Sequence, residues 1–193
     1  MKTVNSRTTK YPIEDIFLER YSPRAMSGEG ISREELMTLF EAARWAPSAS
    51  NLQPWKFIYA NNGTPEFELL FSFLAEGNRV WCTRASVLIL AISEKIRNDG
   101  KENKSRSLDT GSAFENLALQ ASQMNLVVHP IAGFDYLSAR EKFSVPENYS
   151  IEIIIAVGKP GKMEDLPEPL RARETPNDRK PLEEIISEGK FKF

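Results

Sequence analysis

The sequence predicts an α+β (mixed α/β) fold, a layered sheet flanked by helices, in a single domain spanning residues 1–193. Three observations predict it. Segments with helical spacing of apolar residues alternate along the chain with short segments of strand pattern. Two apolar stretches, Ala85–Ser93 and Ile151–Val157, have the length of strands buried on both faces. A chain of 193 residues, 41% of them hydrophobic, fills one core, and no internal repeat divides it.

The first helix is expected over Ile31–Ala46. Ser32 and Glu35 stand at capping-box spacing, Leu36, Leu39, Phe40 and Ala43 form one stripe, and Pro47 disfavours helix at Ala46. After the polar, turn-like Asn51–Gln53, the alternation of Trp55, Phe57 and Tyr59 with Lys56 and Ile58 predicts a strand. Thr64 as cap and Pro65 in the first turn start a second helix, with a stripe of Phe67, Leu70, Phe71 and Leu74 and a stop at Gly77-Asn78. Ala85–Ser93 is the central strand, and the charged stretch Ile96–Ser107 is a loop or short helix. Asp109 is expected to cap a third helix running to about Leu126, with Phe114, Leu117, Ala118, Ala121 and Met124 as its apolar face. Gly111, Ser112, Ala113, Ala118 and Ala121 keep that helix thin, which admits a close neighbour: its own core, a ring or a partner helix. Val127–Ile131 reads as a short strand, Ser138–Phe143 as a helix with a Ser138/Glu141 capping box, and Ile151–Val157 as the last strand. Lys159–Pro181 holds five prolines and no period, the pattern of a functional or disordered segment, and Leu182–Ile186 is a helical turn.

Composition removes several classes of function. With 25 basic and 27 acidic residues the net charge is −2, against general nucleic-acid binding. One cysteine, Cys82, and one histidine, His129, supply neither a disulfide nor a thiolate or multi-histidine metal cage, so no metal site is expected. There is no signal-peptide pattern at the N-terminus and no apolar run of membrane-spanning length, so the expected location is cytoplasmic. With no histidine relay and no GxGxxG or GxxxxGK[ST] loop, a bound organic cofactor is expected to carry any difficult step.

Three segments carry chemistry. Arg20-Tyr21-Ser22-Pro23-Arg24 offers two guanidiniums and a hydroxyl to a phosphate, or is a solvated basic turn. Ala46–Trp55 (APSASNLQPW) carries uncharged donors and acceptors that suit the edge of a heterocycle, or is a helix-to-strand turn. Pro130–Asp135 (PIAGFD) sets a glycine after a strand, which allows close backbone approach to a planar ligand or makes an ordinary turn. Two further residues read as structural: His129 as a packed, hydrogen-bonded histidine and Cys82 as a buried small hydrophobe.

In this order, the segments resemble the nitroreductase family. Arg20, Ser22 and Arg24 match its Arg-x-Ser-x-(Arg/Lys) opening, and Ala46–Phe57 matches its Pro-Ser-x-x-Asn-x-Gln-Pro-Trp-x-Phe stretch throughout. Asn78 before Trp81, the helix FENLALQASQMNL, Ala132–Asp135 and Arg179–Glu184 resemble its later blocks, so the likeness spans roughly residues 15–186. It implies a mixed sheet flanked by helices, in a homodimer joined through the long central helices, with the tail 159–193 contributing to the flavin site and the dimer. It further implies bound FMN, NAD(P)H as transient electron donor, and ping-pong hydride transfer to an electron-poor acceptor such as a nitroaromatic or quinone. The flavin, not a catalytic side chain, would carry the chemistry. Arg20, Tyr21, Ser22, Arg24 and Arg179 would hold the phosphate and ribityl chain. Pro47, Ser48, Ser50, Asn51 and Gln53 belong to the stretch that reaches the flavin across the dimer, Asn78 to the pyrimidine side, and Ala132 and Gly133 to the N5 edge.

Two departures stand out. Many relatives carry a basic residue where this chain has Trp81, and the acidic residue before the loop glycine is here Ala132. The short 96–109 segment lacks the helices that larger relatives insert over the pocket. The alternatives left open are a specialised relative, such as a reductive dehalogenase or flavin-consuming enzyme, and a non-catalytic flavin-binding protein. The choice between NADH and NADPH is also open.

Overall fold

A computed structural model describes residues 6–193. Four strands, β1 (Trp55–Asn61), β2 (Val87–Glu94), β3 (Val127–Ile131) and β4 (Tyr149–Gly158), form one sheet in the order β1-β2-β4-β3. The α+β class holds. Every pairing among the described residues is antiparallel, however, where the resemblance implied a mixed sheet.

Both faces of the sheet are covered. Leu88, Leu90 and Ile92 of β2 join Ile154 and Ala156 of β4 in one core cluster, with Phe67 and Leu70 of α3 (Pro65–Ser72) and Trp81 and Cys82 of α4 (Glu76–Cys82). Val87, Ile89 and Ala91 join Ile155 and Val157 in a second cluster, against α2 (Arg33–Arg44) and α5 (Arg106–Gln123). Alternate residues point to opposite faces of a strand, so a continuous apolar run is what a twice-covered strand requires. The β2–β4 register slips between Ala91 and Ile92, pairing Ile92 with Ile151 and leaving Glu152 opposite no partner. Its carboxylate instead accepts from the hydroxyls of Ser93 and Ser107.

The local start signals work where they are self-contained. Ser32 and Glu35 form a reciprocal capping box on α2, and Thr64 accepts from the Phe67 amide with Pro65 in the first turn of α3. Three expected boundaries are corrected. Gly77 and Asn78 lie inside α4 and do not end a helix; burial of Trp81 and Cys82 against the core outweighs the roughly 1 kcal/mol cost of a helical glycine. α5 begins at Arg106, so Asp109 sits in its first turn, with Oδ2 accepting from Ser105 Oγ at 3.0 Å and the Ala49 amide at 3.3 Å. α6 (Tyr136–Lys142) is capped by Asp135, which takes the Leu137 and Ser138 amides, so Ser138 is inside the helix.

The thin face of α5 splits in two. Ala113, Ala118 and Ala121 are buried in the chain's own second core cluster, whereas a Cβ on Gly111 would meet no atom within 4 Å. Two short helices complete the set, α1 (Ile16–Glu19) and α7 (Glu168–Arg171). The segment after β4 is ordered along its own core side: Ser27 and Gly161 amides bond to the Lys159 and Ala25 carbonyls, and a Cβ on Gly161 would lie 2.5 Å from the Met26 carbonyl carbon. No helix among the described residues is long and apolar enough to cross a membrane.

Candidate functional site

A cavity of about 650 Å³ opens between the start and the end of the chain. Arg7, Arg20, Tyr21, Ser22 and Arg24 line it from one side, Arg173, Thr175, Asn177 and Arg179 from the other, and His129 from β3. Five guanidiniums around one polar space make a donor set suited to a multiply charged oxyanion. Of the residues expected from sequence at a phosphate, Arg20, Tyr21, Ser22, Arg24 and Arg179 are brought together across more than 150 positions of chain.

Each wall is held by contacts made for the purpose. Arg20 Nε lies 3.4 Å from the Glu115 carboxylate on α5, and its Nη1 lies 3.4 Å from Ser22 Oγ, so the guanidinium is held by two partners. Glu174 is 6% exposed, and its Oε1 accepts from the Arg24 and Ala25 amides at 2.7 Å each. The buried Arg7 donates to the Leu18, Arg20 and Asn177 carbonyls. Burial first, then the charges of Arg179 and Arg20, lower the Arg7 pKa, while Asp178 opposes them. Burial and the Glu174 carboxylate raise the Tyr21 pKa.

His129 behaves as the packed histidine the sequence suggests, while also lining the cavity. Its Nδ1 is 3.0 Å from the Pro23 carbonyl, which as a pure acceptor requires a proton on that nitrogen. Its ring lies 4.6 Å from the Trp81 indole, and burial lowers its pKa more than the Pro23 contact raises it. Trp81 is buried in the core, and its Nε1 has no hydrogen-bond partner among the described residues. Cys82 is fully buried and its thiol is pushed up to about 12 by burial, as expected of an inert core residue.

A second group gathers at one end of the sheet. Residues 73–75 pair with 133–135: Asp135 N donates to Phe73 O, and Ala75 N to Gly133 O at 2.9 Å. Asn78 Nδ2 reaches the same Gly133 carbonyl at 3.0 Å, and a Cβ on Gly133 would stand 2.8 Å from that nitrogen. A side chain here would displace the Asn78 amide from its present position. Ala132 is exposed beside it, its carbonyl accepting from the Tyr136 hydroxyl.

The third group stays apart. Pro47, Ser48, Ser50, Asn51 and Gln53 do not line the cavity. They form a surface loop in which Ser50, Asn51 and Gln53 all have positive φ (51°, 54° and 49°). The Ser48 hydroxyl accepts from the Gln53 amide, Gln53 Nε2 donates to the Asn51 carbonyl, and Asp109 anchors Ala49. Left-handed non-glycine residues cost energy and are retained where surrounding contacts fix them.

Sequence reasoning missed Arg7 and Arg173. Neither lies in a recognisable motif, although the density of arginines in Arg171-Ala172-Arg173 was a visible signal for the second.

Comparison with known proteins gives the family. A solved structure of an FMN-containing oxidoreductase is 38% identical and superposes over 100% of this chain and 99% of its own with a TM-score of 0.94. A nitroreductase family protein from Clostridium difficile is 26% identical, with 92% and 98% covered and a TM-score of 0.72. A Streptococcus pyogenes protein, provisionally named an NAD(P)H nitroreductase, is 22% identical over 87% of this chain and 94% of its own length. The family model for the nitroreductase family matches residues 17–75 and 63–159, and the chain belongs to that family.

Proposed function

We propose that the protein is an FMN-dependent oxidoreductase that takes electrons from NAD(P)H and passes them to an electron-poor acceptor such as a nitroaromatic or quinone. The observation that carries this reading is the arginine-lined cavity, whose donor set fits a phosphate monoester at the end of a ribityl chain. In it Arg20, Arg24 and Arg179 would bind the phosphate with Ser22, and Tyr21 would pack along the chain. When bound, FMN would supply hydride-transfer chemistry between a nicotinamide and the acceptor. The chain's part is to orient the ring and hold charge around it. Asn78, Ala132 and Gly133 would do so at the ring edge, where the shared Gly133 carbonyl fixes the Asn78 amide.

The same reading makes the protein a homodimer in which Pro47, Ser48, Ser50, Asn51 and Gln53 complete the partner's site. Its supports are the loop's position off the chain's own cavity, Leu108 at 75% exposure on α5, and the exposed apolar tail residues Ile185, Ile186, Phe191 and Phe193. It also places the enzyme in the cytoplasm. A non-catalytic flavin carrier is the second reading, favoured by Trp81, which sets a buried indole where many relatives have a cation.

The deciding experiment is anaerobic addition of NADH and of NADPH to the protein loaded with FMN. Loss of the visible flavin absorption is the expected result, followed by parallel double-reciprocal plots with a quinone acceptor. Failure of both nicotinamides to bleach the flavin would leave the carrier reading.

A further inference from the structure

Arg7 belongs to no element and no motif, yet it makes the contacts that join the two halves of the cavity wall. Its Nη1 donates to the Leu18 carbonyl at 2.9 Å and the Arg20 carbonyl at 2.8 Å, and its Nε donates to the Asn177 carbonyl at 2.7 Å across 170 positions of sequence. Two of those acceptors sit on residues that themselves line the cavity, and Asn177 stands two residues before Arg179.

Taking as its basis the reading that this cavity holds the phosphate of FMN, we propose that Arg7 is the positioning residue of the phosphate site. It spans the 18–20 and 177–179 segments, fixes the separation of the Arg20 and Arg179 side chains, and thereby sets the preference for a phosphorylated over an unphosphorylated flavin.

Three physical points converge on this. A guanidinium is a planar fork of five N–H donors, so a single side chain serves three carbonyls on two segments; a lysine ammonium is a point donor without that reach. Without the guanidinium, the Arg20 and Asn177 carbonyls, both on residues that line the cavity, would lose the donor that links them, and a buried acceptor that loses its donor is costly. Finally, Arg20 and Arg179 are close enough to Arg7 to disfavour its charge, with Asp178 the opposing carboxylate. Like charges drawn together in this way need a fastening that does not depend on the anion. The carbonyl contacts supply it, and the anion then enters a preformed site. Glu174 also joins the two segments, through the Arg24 and Ala25 amides, but brings a negative charge and holds the far end of the motif.

The test is flavin binding by the full-length protein stripped of cofactor, measured with FMN and riboflavin in parallel. In Arg7→Lys and Arg7→Ala, FMN affinity is expected to fall about 10–100-fold while riboflavin affinity changes less than about threefold. A residue important only to overall folding would weaken both ligands alike. Hydrogen exchange on the unmodified protein gives an arm that needs no variant: FMN is expected to protect amides in 18–20 and 175–179 together, and riboflavin neither. An unchanged FMN-to-riboflavin ratio in the two variants overturns the proposal, as does protection by FMN of one segment alone. If the unmodified protein binds the two flavins equally, the phosphate reading itself falls, and the assignment of Arg7 falls with it.

Discussion

Replacing Glu174 by alanine removes the acceptor that holds the Arg24 and Ala25 amides. Both bonds run to one carboxylate oxygen at 2.7 Å, in a side chain only 6% exposed. A hydrogen bond to a charged group contributes about 1.5–3 kcal/mol, and a buried amide left without a partner loses a comparable amount. Two bonds sharing one oxygen, with some water entering the space left behind, should therefore cost about 3–4 kcal/mol. For a chain of this size each kcal/mol lowers Tm by roughly 2–4 °C, so a drop of about 10 °C is expected. Glu174→Gln keeps one carbonyl acceptor and the volume but loses the charge, and should cost about half as much. Urea denaturation at fixed protein concentration, to hold any oligomerisation constant, measures both losses as shifts in midpoint at constant slope. A loss for Glu174→Ala below about 1 kcal/mol at unchanged slope would mean that the amides have another partner, and that the motif is not held by the tail.

Arg20→Ala should weaken FMN about 10–150-fold with a smaller effect on riboflavin, checked by fluorescence titration. Gly111→Trp should leave the monomer folded, because nothing within 4 Å meets a Cβ there, but should lower dimer content and flavin occupancy together in sedimentation; an intact, FMN-saturated dimer would remove α5 from the interface. Cys82, with its thiol pushed up to about 12, should resist iodoacetamide at pH 8 in the native protein and react once the protein is unfolded in urea. The pKa of His129 is lowered by burial, so the unfolded chain binds its proton more readily than the folded one. Stability from the neutral ring is therefore present above the ordinary histidine range and lost as pH falls through the lower folded value. His129→Gln should flatten that acid limb in pH-dependent denaturation, and an imidazole NMR titration at or above the ordinary value would refute the assignment.

What could be read in the sequence was what the chain specifies over a few residues. Ser32 with Glu35 and Thr64 with Pro65 state their helix starts in four positions or fewer, and the β2 and β4 runs declare burial on both faces. Strand direction is not written in such a run, so antiparallel pairing throughout had to come from the structure. Gly77 failed as a stop because its local cost is small beside the burial of Trp81 and Cys82. Asp109 and Ser138 failed as caps for different reasons: α5 starts three residues before Asp109, whose carboxylate accepts from a loop sixty positions away, and Asp135 takes the first amides of α6 in place of Ser138. At the site, Arg20, Tyr21, Ser22 and Arg24 were singled out as one compact motif, and the structure sets them around one cavity with Arg179. Arg7 and Arg173 were not, since their roles arise from contacts between chain ends that no local pattern records.

That joining of residues 7–24 to residues 173–179 has a consequence for synthesis. Arg7 is made 170 residues before the Asn177 carbonyl that it holds. At translation rates of about 5–20 residues per second, the interval is roughly 10–35 s. Throughout it, the sheet and its covering helices can form on the nascent chain, but the cationic wall is half built. Charging with an anionic cofactor is thus deferred until residues 173–179 have emerged, and a chain cut before Arg173 would keep the residues of both core clusters but lack the second wall of its cavity.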